Sequence, residues 1–387
     1  MINRIYILVF FLLSFFYSNY FSVFGVGEKI NNYDAGSIAL GNSKFFTINN
    51  NELSHNSSSS FINSKLLHFY FHNQFNYYSL SKSNISQQIN NLALYIPIFK
   101  RNVFSFQLKP YINSDFNINS HISYIDGTLD SLSYYYNLSS KGGISSAVFS
   151  FSMFFSNNFK LGIDYARFFG RQEKNNLIYL IQNNDSSNKQ IVTTNIFSGN
   201  KLNLDYRFTY GMIEFAGNLG YKIKFKINDL NQYSSLFLDN IGLGLQYRIN
   251  EIKKIVFEYS YRPSHDYNNL DDIFTLQDYD LSQLSTGYSS KKIFPNYSNI
   301  NTLSYGFGFF IDQVLNLPTF VNIGSTAGFS IDFLDSKHVI NFTIKAGMIV
   351  NNQGILSYNF KSIKNQKYVQ FLVSFDTGDR WFKRKGK

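Results

Sequence analysis

The chain has 387 residues, a formal net charge of +10, no Cys, 42 Phe and 29 Tyr. The missing cysteines exclude disulfides and thiolate chemistry, and the Lys and Arg are scattered rather than clustered, which argues against a nucleic-acid partner. No internal segment reaches the ~18–20 uninterrupted apolar residues of a membrane helix, yet the aromatics far exceed what a soluble domain needs.

Met1–Gly25 reads as a secretory signal, with Arg4 as the basic region and Ile5–Phe16 as an apolar core of signal-peptide length. Val23-Phe24-Gly25 is the best available cleavage site, and a retained N-terminal helix is the alternative. No Cys follows the apolar core, which speaks against a lipoprotein anchor. Gly25–Ser60 is rich in Gly, Asn and Ser; no strand precedes its glycines and no GK[ST] follows, so they make no phosphate loop.

From Leu67 the pattern becomes that of strands. Leu67, Phe69, Phe71 and Phe75 alternate with His68, Tyr70, His72, Gln74 and Asn76. On a strand His68 and His72 stand roughly 13 Å apart, too far to share a metal ion. Further strands are expected at Leu92–Ile98 and Phe104–Leu108, then at Ala147–Phe155 and Leu161–Tyr165. Asn113–Lys141 lacks a clear period and reads as an extracellular loop, and Arg171–Ser198 as a polar excursion or β-ribbon.

The clearest hairpin lies at Leu202–Ile227. Leu202, Leu204, Tyr206, Phe208 and Tyr210 alternate with Asn203, Asp205, Arg207 and Thr209, and from Ile213 the apolar set moves to odd positions. A period of two places the two sets on opposite faces. A Gly211-Met212 turn with Gly first would pair Tyr210 with Ile213, Phe208 with Phe215 and Leu204 with Leu219, and set Arg207 diagonal to Glu214. The second strand, about 50 Å long at ~3.3 Å per residue, exceeds a sandwich strand and suits a membrane strand. A soluble sandwich with the apolar face as core is the other reading of this hairpin alone.

Strands follow at Ile241–Ile249 and Ile255–Tyr261. Pro263–Pro295 is a long polar stretch with Asp266, Asp271, Asp272, Asp278 and Asp280, read as an outer loop or a loop plus a weak strand near Leu284–Tyr288. Leu303–Phe309, Phe329–Phe333, Ile340–Val350, Ile355–Phe360 and Tyr368–Phe375 complete the set. The expected fold is an all-β, antiparallel up-and-down transmembrane barrel of about 14 strands, an even number being usual in bacterial barrels. Short turns at Gly211-Met212, Asn351–Gly354 and Ser362–Gln366 alternate with long loops.

Both ends of the chain carry a resemblance. Ser37-Ile38-Ala39-Leu40-Gly41-Asn42, then Asn56-Ser57-Ser58, resembles the "S-R-x-x-G-M-G-G" and "N-P-A" pattern that opens mature FadL/TodX-like barrels, with Asn42 at the second Gly and no Pro. Gly378-Asp379-Arg380-Trp381-Phe382-Lys383-Arg384-Lys385-Gly386-Lys387 resembles the "D-[KR]-W-F-x-[KR]-[KR]" ending of relatives in the Bacteroidetes and neighbouring phyla. The resemblance implies a FadL/TodX-like outer-membrane transporter of hydrophobic compounds. It divides the chain into a signal (1–25), a lumenal hatch (26–62), a barrel (63–377) and a basic periplasmic tail (378–387). Gly41, Asn42, Asn56, Ser57 and Ser58 are its hatch residues.

The expected function is passive uptake of small hydrophobic molecules, fatty-acid-like or aromatic, across the bacterial outer membrane. The alternative is a non-transporting barrel that docks secretion or surface-assembly partners. Expected partners are outer-membrane lipids, the barrel-insertion machinery and a hydrophobic ligand, with a secretion partner under the alternative. No cofactor or metal is expected. No enzyme is expected either, since no G-x-S-x-G or H-E-x-x-H occurs and His265 stands beside Asp266 in a loop rather than in a converging triad. The inferred lumen wall carries Arg207, Glu214, Lys222, Lys224, Lys226 and Arg248. The three lysines form an expected cationic ladder at one mouth, drawing in a hydrophobic carboxylate; alternatively that end projects past the membrane, where lysines meet lipid phosphates or solvent. Leu219→Arg on the lipid face is expected to cost ~2–4 kcal/mol, and Asn218→Arg on the lumen face much less.

Overall fold

The computed structural model describes residues 28–379, apart from 31, 50–51, 64–65, 80–82, 99–100, 126–130, 183–184, 229, 234–236, 264–279, 295–299, 316–319, 334–336 and 352–364. The expected signal, the tail beyond Asp379, the strand expected at Ile355–Phe360 and most of the acidic stretch lie outside the described residues. A short β1 (Glu28–Lys29), a one-turn helix α1 (Ala35–Ile38) and a 3-10 turn (Ser58–Asn63) come first. The strands that follow are β2 (Leu67–Ser79), β3 (Ser83–Ile98), β4 (Asn102–Asn113), β5 (Phe116–Ile125), β6 (Ser131–Phe154), β7 (Phe159–Gln182), β8 (Asp185–Tyr210) and β9 (Ile213–Ile227). The last are β10 (Leu230–Tyr233), β11 (Phe237–Arg248), β12 (Lys253–Arg262), β13 (Leu281–Ile293), β14 (Ile300–Val314), β15 (Phe320–Phe333), β16 (His338–Asn351) and β17 (Asn365–Asp379).

All but β1, β5 and β10 belong to one antiparallel wall of 14 strands. The wall closes where β17 pairs with β2, from Lys367 opposite Ser79 to Asp379 opposite Leu67. Closure leaves no free edge, the condition for a sheet to cross a bilayer. The β8–β9 hairpin has the expected register: Tyr210 faces Ile213, Phe208 faces Phe215 and Leu204 faces Leu219. Gly211 takes a φ of +58° at the first turn position, which glycine adopts without strain.

Burial runs opposite to that of a soluble protein. On the outside, Leu204, Phe208, Phe215, Leu243, Phe257, Phe307, Phe309 and Phe371 are exposed, whereas Asp205, Arg207, Glu214 and Glu258 inside are buried. Side chains of one strand alternate between these faces, so the sequence period becomes an apolar exterior and a polar interior. The turns 155–158, 211–212 and 249–252 lie at the end shared by Leu67 and Asp379, and the longer connection 263–280 at the other. Short turns mark the periplasmic end.

Three expectations change. Asn113–Lys141 is not a loop: β5 pairs with the outer part of β6 from Phe116–Ser140 to Ile125–Ser131, and β6 to β8 continue beyond the ~11 residues that a span requires. Beyond the span no lipid faces the outward side, so these strand extensions need no apolar alternation. The weak strand near Leu284 is the full-length β13, whose outward face carries Ser282 and Thr286 beside Leu284 and Tyr288 and so escaped the hydrophobic pattern. The turn expected at Asn351–Gly354 falls at the outer end; Asn351 ends β16, and 352–364 lie outside the described residues.

Candidate functional site

The described parts of 32–60 lie inside the barrel, nearly all of them buried. The wall makes room through glycines whose would-be side chains point inward. A Cβ on Gly287 would sit 2.7 Å from Leu40 O, one on Gly306 2.5 Å from Ile48 Cγ2, one on Gly328 2.8 Å from Ala39 Cβ and one on Gly244 2.8 Å from Phe45 Cδ2. The inner segment therefore rests on bare backbone of β11 and β13 to β15. Gly41 and Asn42 have φ of +77° and +63°; Asn is among the few residues besides Gly that tolerate this region, so the pair turns the segment without strain.

Polar groups fix the segment in place. Asp34 caps α1, accepting from Gly36 N (3.1 Å) and Ser37 Oγ (2.7 Å). Gly41 N donates to Thr326 Oγ1 at 2.8 Å, and Thr343 Oγ1 donates to Ala35 O at 2.7 Å. The Glu258 carboxylate accepts from Lys44 N (2.6 Å), Phe45 N (3.1 Å) and Ser43 Oγ. Ser58 donates through N and Oγ to Asp205 at 2.8 and 3.0 Å, while Asn56 Oδ1 accepts from Tyr33 N at 2.7 Å and Ser57 Oγ lies 3.0 Å from Ser59 Oγ. Gly41, Asn42, Asn56, Ser57 and Ser58 are all buried in this segment.

Of the wall residues named from sequence, Arg207, Glu214 and Arg248 come together. Arg207 donates to Glu214 Oε1 and to Phe45 O, both at 2.6 Å. Arg248 lies 3.0 Å from Glu214 and 2.7 Å from Glu52 of the inner segment. The Arg207–Glu214 diagonal set by the hairpin register is thereby one end of a chain of charges that pins the segment.

The lysines do not form one ladder. A bulge shifts the β8–β9 register between Asn200 and Lys201, so that Lys201 faces Lys222 but Asn200 faces Lys224. Below it Lys222 is buried in the lumen; above it the buried position is Ile227, packed with Tyr111, Ile112, Ile144, Phe168 and Phe197, and Lys226 stands at the alternate position. One extra residue reverses the facing of everything beyond it.

That apolar cluster lies in the outer half of the lumen, beside a cavity of about 100 Å³. Tyr33, Tyr111, Val148 and Phe168 supply apolar wall; Lys44, Lys109, Lys201 and Arg262 supply cations, against Asp164. Asp239 accepts from Tyr111 Oη at 2.6 Å, pairs with Lys222 at 3.2 Å and also pairs with Lys201. Arg262 lies 4.5 Å from the Tyr111 ring centre and Lys109 4.6 Å from that of Tyr33, both within cation–π range. Burial, with Lys201 close by, pushes the Lys44 ammonium down to about 7. The cavity joins an aromatic wall to an excess of positive charge.

A closed wall with lipid-facing aromatics and a filled polar interior defines an outer-membrane β-barrel. The BamG family model matches residues 1–237, and the chain belongs to that family. No curated protein sequence matches the chain. Among solved structures, the CymD monoaromatic hydrocarbon channel superposes with a TM-score of 0.55 at 11% identity, covering 90% of this chain and 98% of its own. The Pseudomonas putida toluene transporter TodX gives 0.52 at 13% identity, over 92% of this chain and 100% of its own. A Pseudomonas aeruginosa FadL homologue gives 0.52 at 10% identity, over 92% and 99%. At such identities the likeness establishes a shared fold.

Sequence reading missed Lys44, Glu52, Lys109, Tyr111, Asp239 and Arg262. The glycine seat had a visible signal in Ile241-Gly242-Leu243-Gly244-Leu245 and Tyr305-Gly306-Phe307-Gly308-Phe309, where every inward position is Gly.

Proposed function

We propose that this barrel takes up small hydrophobic molecules, fatty-acid-like or aromatic, with the outer cavity as their first binding site and the inner segment as the hatch below it. The observation that carries this reading is the apolar cluster of Tyr111, Phe168 and Phe197 inside the lumen, where a water-filled pore would be polar. Apolar wall holds the body of a ligand, and Lys109, Lys201 and Arg262 hold a carboxylate head. A cavity of about 100 Å³ is smaller than the ~150 Å³ that accommodates benzene, so it takes a short alkyl end as it stands and a ring only once neighbouring side chains shift. The bulge between His72 and Asn73, opposite Ile89 and Asn91, supports a sideways exit between β2 and β3, because a bulge weakens the wall locally. Uptake into proteoliposomes of a short fatty acid and of its alcohol tests the reading. Lys109→Gln with Lys201→Gln should lower the acid-to-alcohol ratio at least fivefold; an unchanged ratio removes these cations from selection.

A second reading, a barrel that docks surface-assembly partners, is favoured by the density of ties on the inner segment and by the sheet of β5 to β8 standing above the membrane. It predicts a stoichiometric protein partner and no uptake.

A further inference from the structure

The outward face of β6 to β9 changes character where the wall leaves the membrane. Counting ~11 residues from the periplasmic end of each strand brings the span to Ile144, Phe169, Asn200 and Ile223. Inside that line the exposed outward residues are apolar, among them Phe149, Ile163, Tyr165, Leu202 and Leu204. At the line the same face turns cationic: Lys141, Arg167 and Arg171 are exposed and Lys226 is half-buried. A membrane strand tolerates Arg or Lys on its lipid side only near an interface, which fixes this patch at headgroup depth in the outer leaflet.

Register gathers the four cations. Arg167 and Arg171 flank the exposed Phe169 on β7; Phe169 faces Ser198, and Ser198 faces Lys226. The bulge beside Lys201 sets Lys226 on this face, since without it the residue would follow Lys222 into the lumen. Arg167 Nη1 donates to Asn200 Oδ1 at 2.9 Å, which leans the guanidinium over β8 toward β9. Gly143, opposite Arg171, puts no side chain over it. Glu173 is the one carboxylate among the described outward residues of this stretch; it faces Lys141 and lies 3.3 Å from Arg171. Both members of that ion pair are more than half exposed, and such a pair contributes little. The excess of charge is positive.

We propose that this face holds one phosphorylated glycolipid of the outer leaflet, its phosphates on Arg167, Arg171, Lys141 and Lys226 and an acyl chain against Phe169 and Tyr165. Depth and the apolar base select a lipid over a soluble anion, which charge alone would hold. A guanidinium fork matches phosphate oxygens, and Arg167 and Arg171, roughly 13 Å apart along the strand, suit two phosphate groups better than one. The assignment rests on the placement of the barrel in the outer membrane and is independent of uptake.

The full-length protein in phosphatidylcholine nanodiscs is supplied with diphosphoryl lipid A or with the same lipid stripped of both phosphates, and retained lipid is counted by native mass spectrometry. One diphosphoryl lipid A per barrel should be held, at least tenfold in preference to the stripped form. Arg167→Gln with Arg171→Gln should cut that preference below twofold, and Lys226→Gln alone should lower it about threefold. Glu173→Gln should raise it, whereas Lys367→Gln, exposed on β17 away from the patch, should leave it unchanged. Heat-modifiable migration on gels checks that each variant is folded; the single Lys226 and Glu173 variants carry the test if the arginine pair is not. Equal retention of the two lipids, an effect of Lys367→Gln as large as that of Lys226→Gln, or full displacement by millimolar inorganic phosphate would overturn the assignment.

Discussion

In the periplasmic half of the lumen the inner segment lies on bare glycine backbone and is tied by Arg207, Arg248 and Glu258. In the outer half Tyr33, Tyr111 and Phe168 meet over a cavity, and Asp239 pairs with both Lys201 and Lys222. Removing a charged group from the first half strands its buried partner, and adding a side chain to its glycines clashes with the inner segment. Removing atoms from the second widens a space that is already there. On the proposed function the first half is structure and the second a site, so substitutions should separate them by what they change: stability below, ligand handling above.

The largest effect is expected from Arg207→Met. It strands Glu214 in a buried setting, where breaking a pair costs ~3–5 kcal/mol; Arg248, also on Glu214, should hold the loss near the lower figure. Urea unfolding in lipid vesicles reads it, and a loss under about 1 kcal/mol would mean that the periplasmic half is not interlocked. Next comes Leu219→Arg on the lipid face, at ~2–4 kcal/mol. The sequence alone made Asn218→Arg its cheap counterpart, but Asn218 is buried, donates to Asn203 Oδ1 at 3.1 Å and has no open lumen before it. Both substitutions should now prevent folding to a similar degree in the same assay.

Gly306→Ala inserts a methyl against Ile48 and should cost ~1–3 kcal/mol by overpacking. Ala166→Val, at the outer cavity, should leave the urea midpoint almost unchanged and slow uptake instead. Equal effects on stability would dissolve the distinction between the halves.

The smallest effect concerns acid. His55 is fully buried, stacks on Tyr70 at 3.5 Å, lies 2.7 Å from Tyr95 Oη and sits near Asp34, Asp376 and His68. Burial holds its imidazole below the ordinary value of 6.5, against the pull of Asp34 and Asp376. The unfolded chain therefore takes up the proton first. The stability that neutral His55 contributes is complete above about pH 6.5 and is lost as pH falls below it, by at most ~1.4 kcal/mol per pH unit. Trypsin cleavage at Lys29 and Lys44 should accelerate between pH 6.5 and 5 in the wild type and less so in His55→Gln.

The wall was legible in the sequence because lipid on one side and polar groups on the other impose a period of two on every spanning strand. Tyr210–Ile213 and Arg207–Glu214 followed from the hairpin register alone. Two physical conditions hid the rest. Where a strand runs on beyond the lipid, as in β5 and the outer part of β6, no apolar period is imposed and strand reads as loop. Where one residue bulges, as beside Lys201, facing reverses without any mark in composition, which turned the Lys222–Lys226 series from a ladder into residues on different faces. Lys44 and Glu52 were beyond reach because their roles depend on contacts with Glu258 and Arg248, some 200 residues away. The glycines of β11 and β14 were readable, since a strand that gives its inward positions to Gly announces a close neighbour.

Native mass spectrometry of the protein extracted without detergent, with identification of whatever stays bound, tests the central claim most directly. The account predicts a small hydrophobic carboxylate held at one per barrel and lost when Tyr111→Ala and Arg262→Gln alter the outer cavity. A barrel that emerges empty of small molecules but paired with a second protein would contradict it.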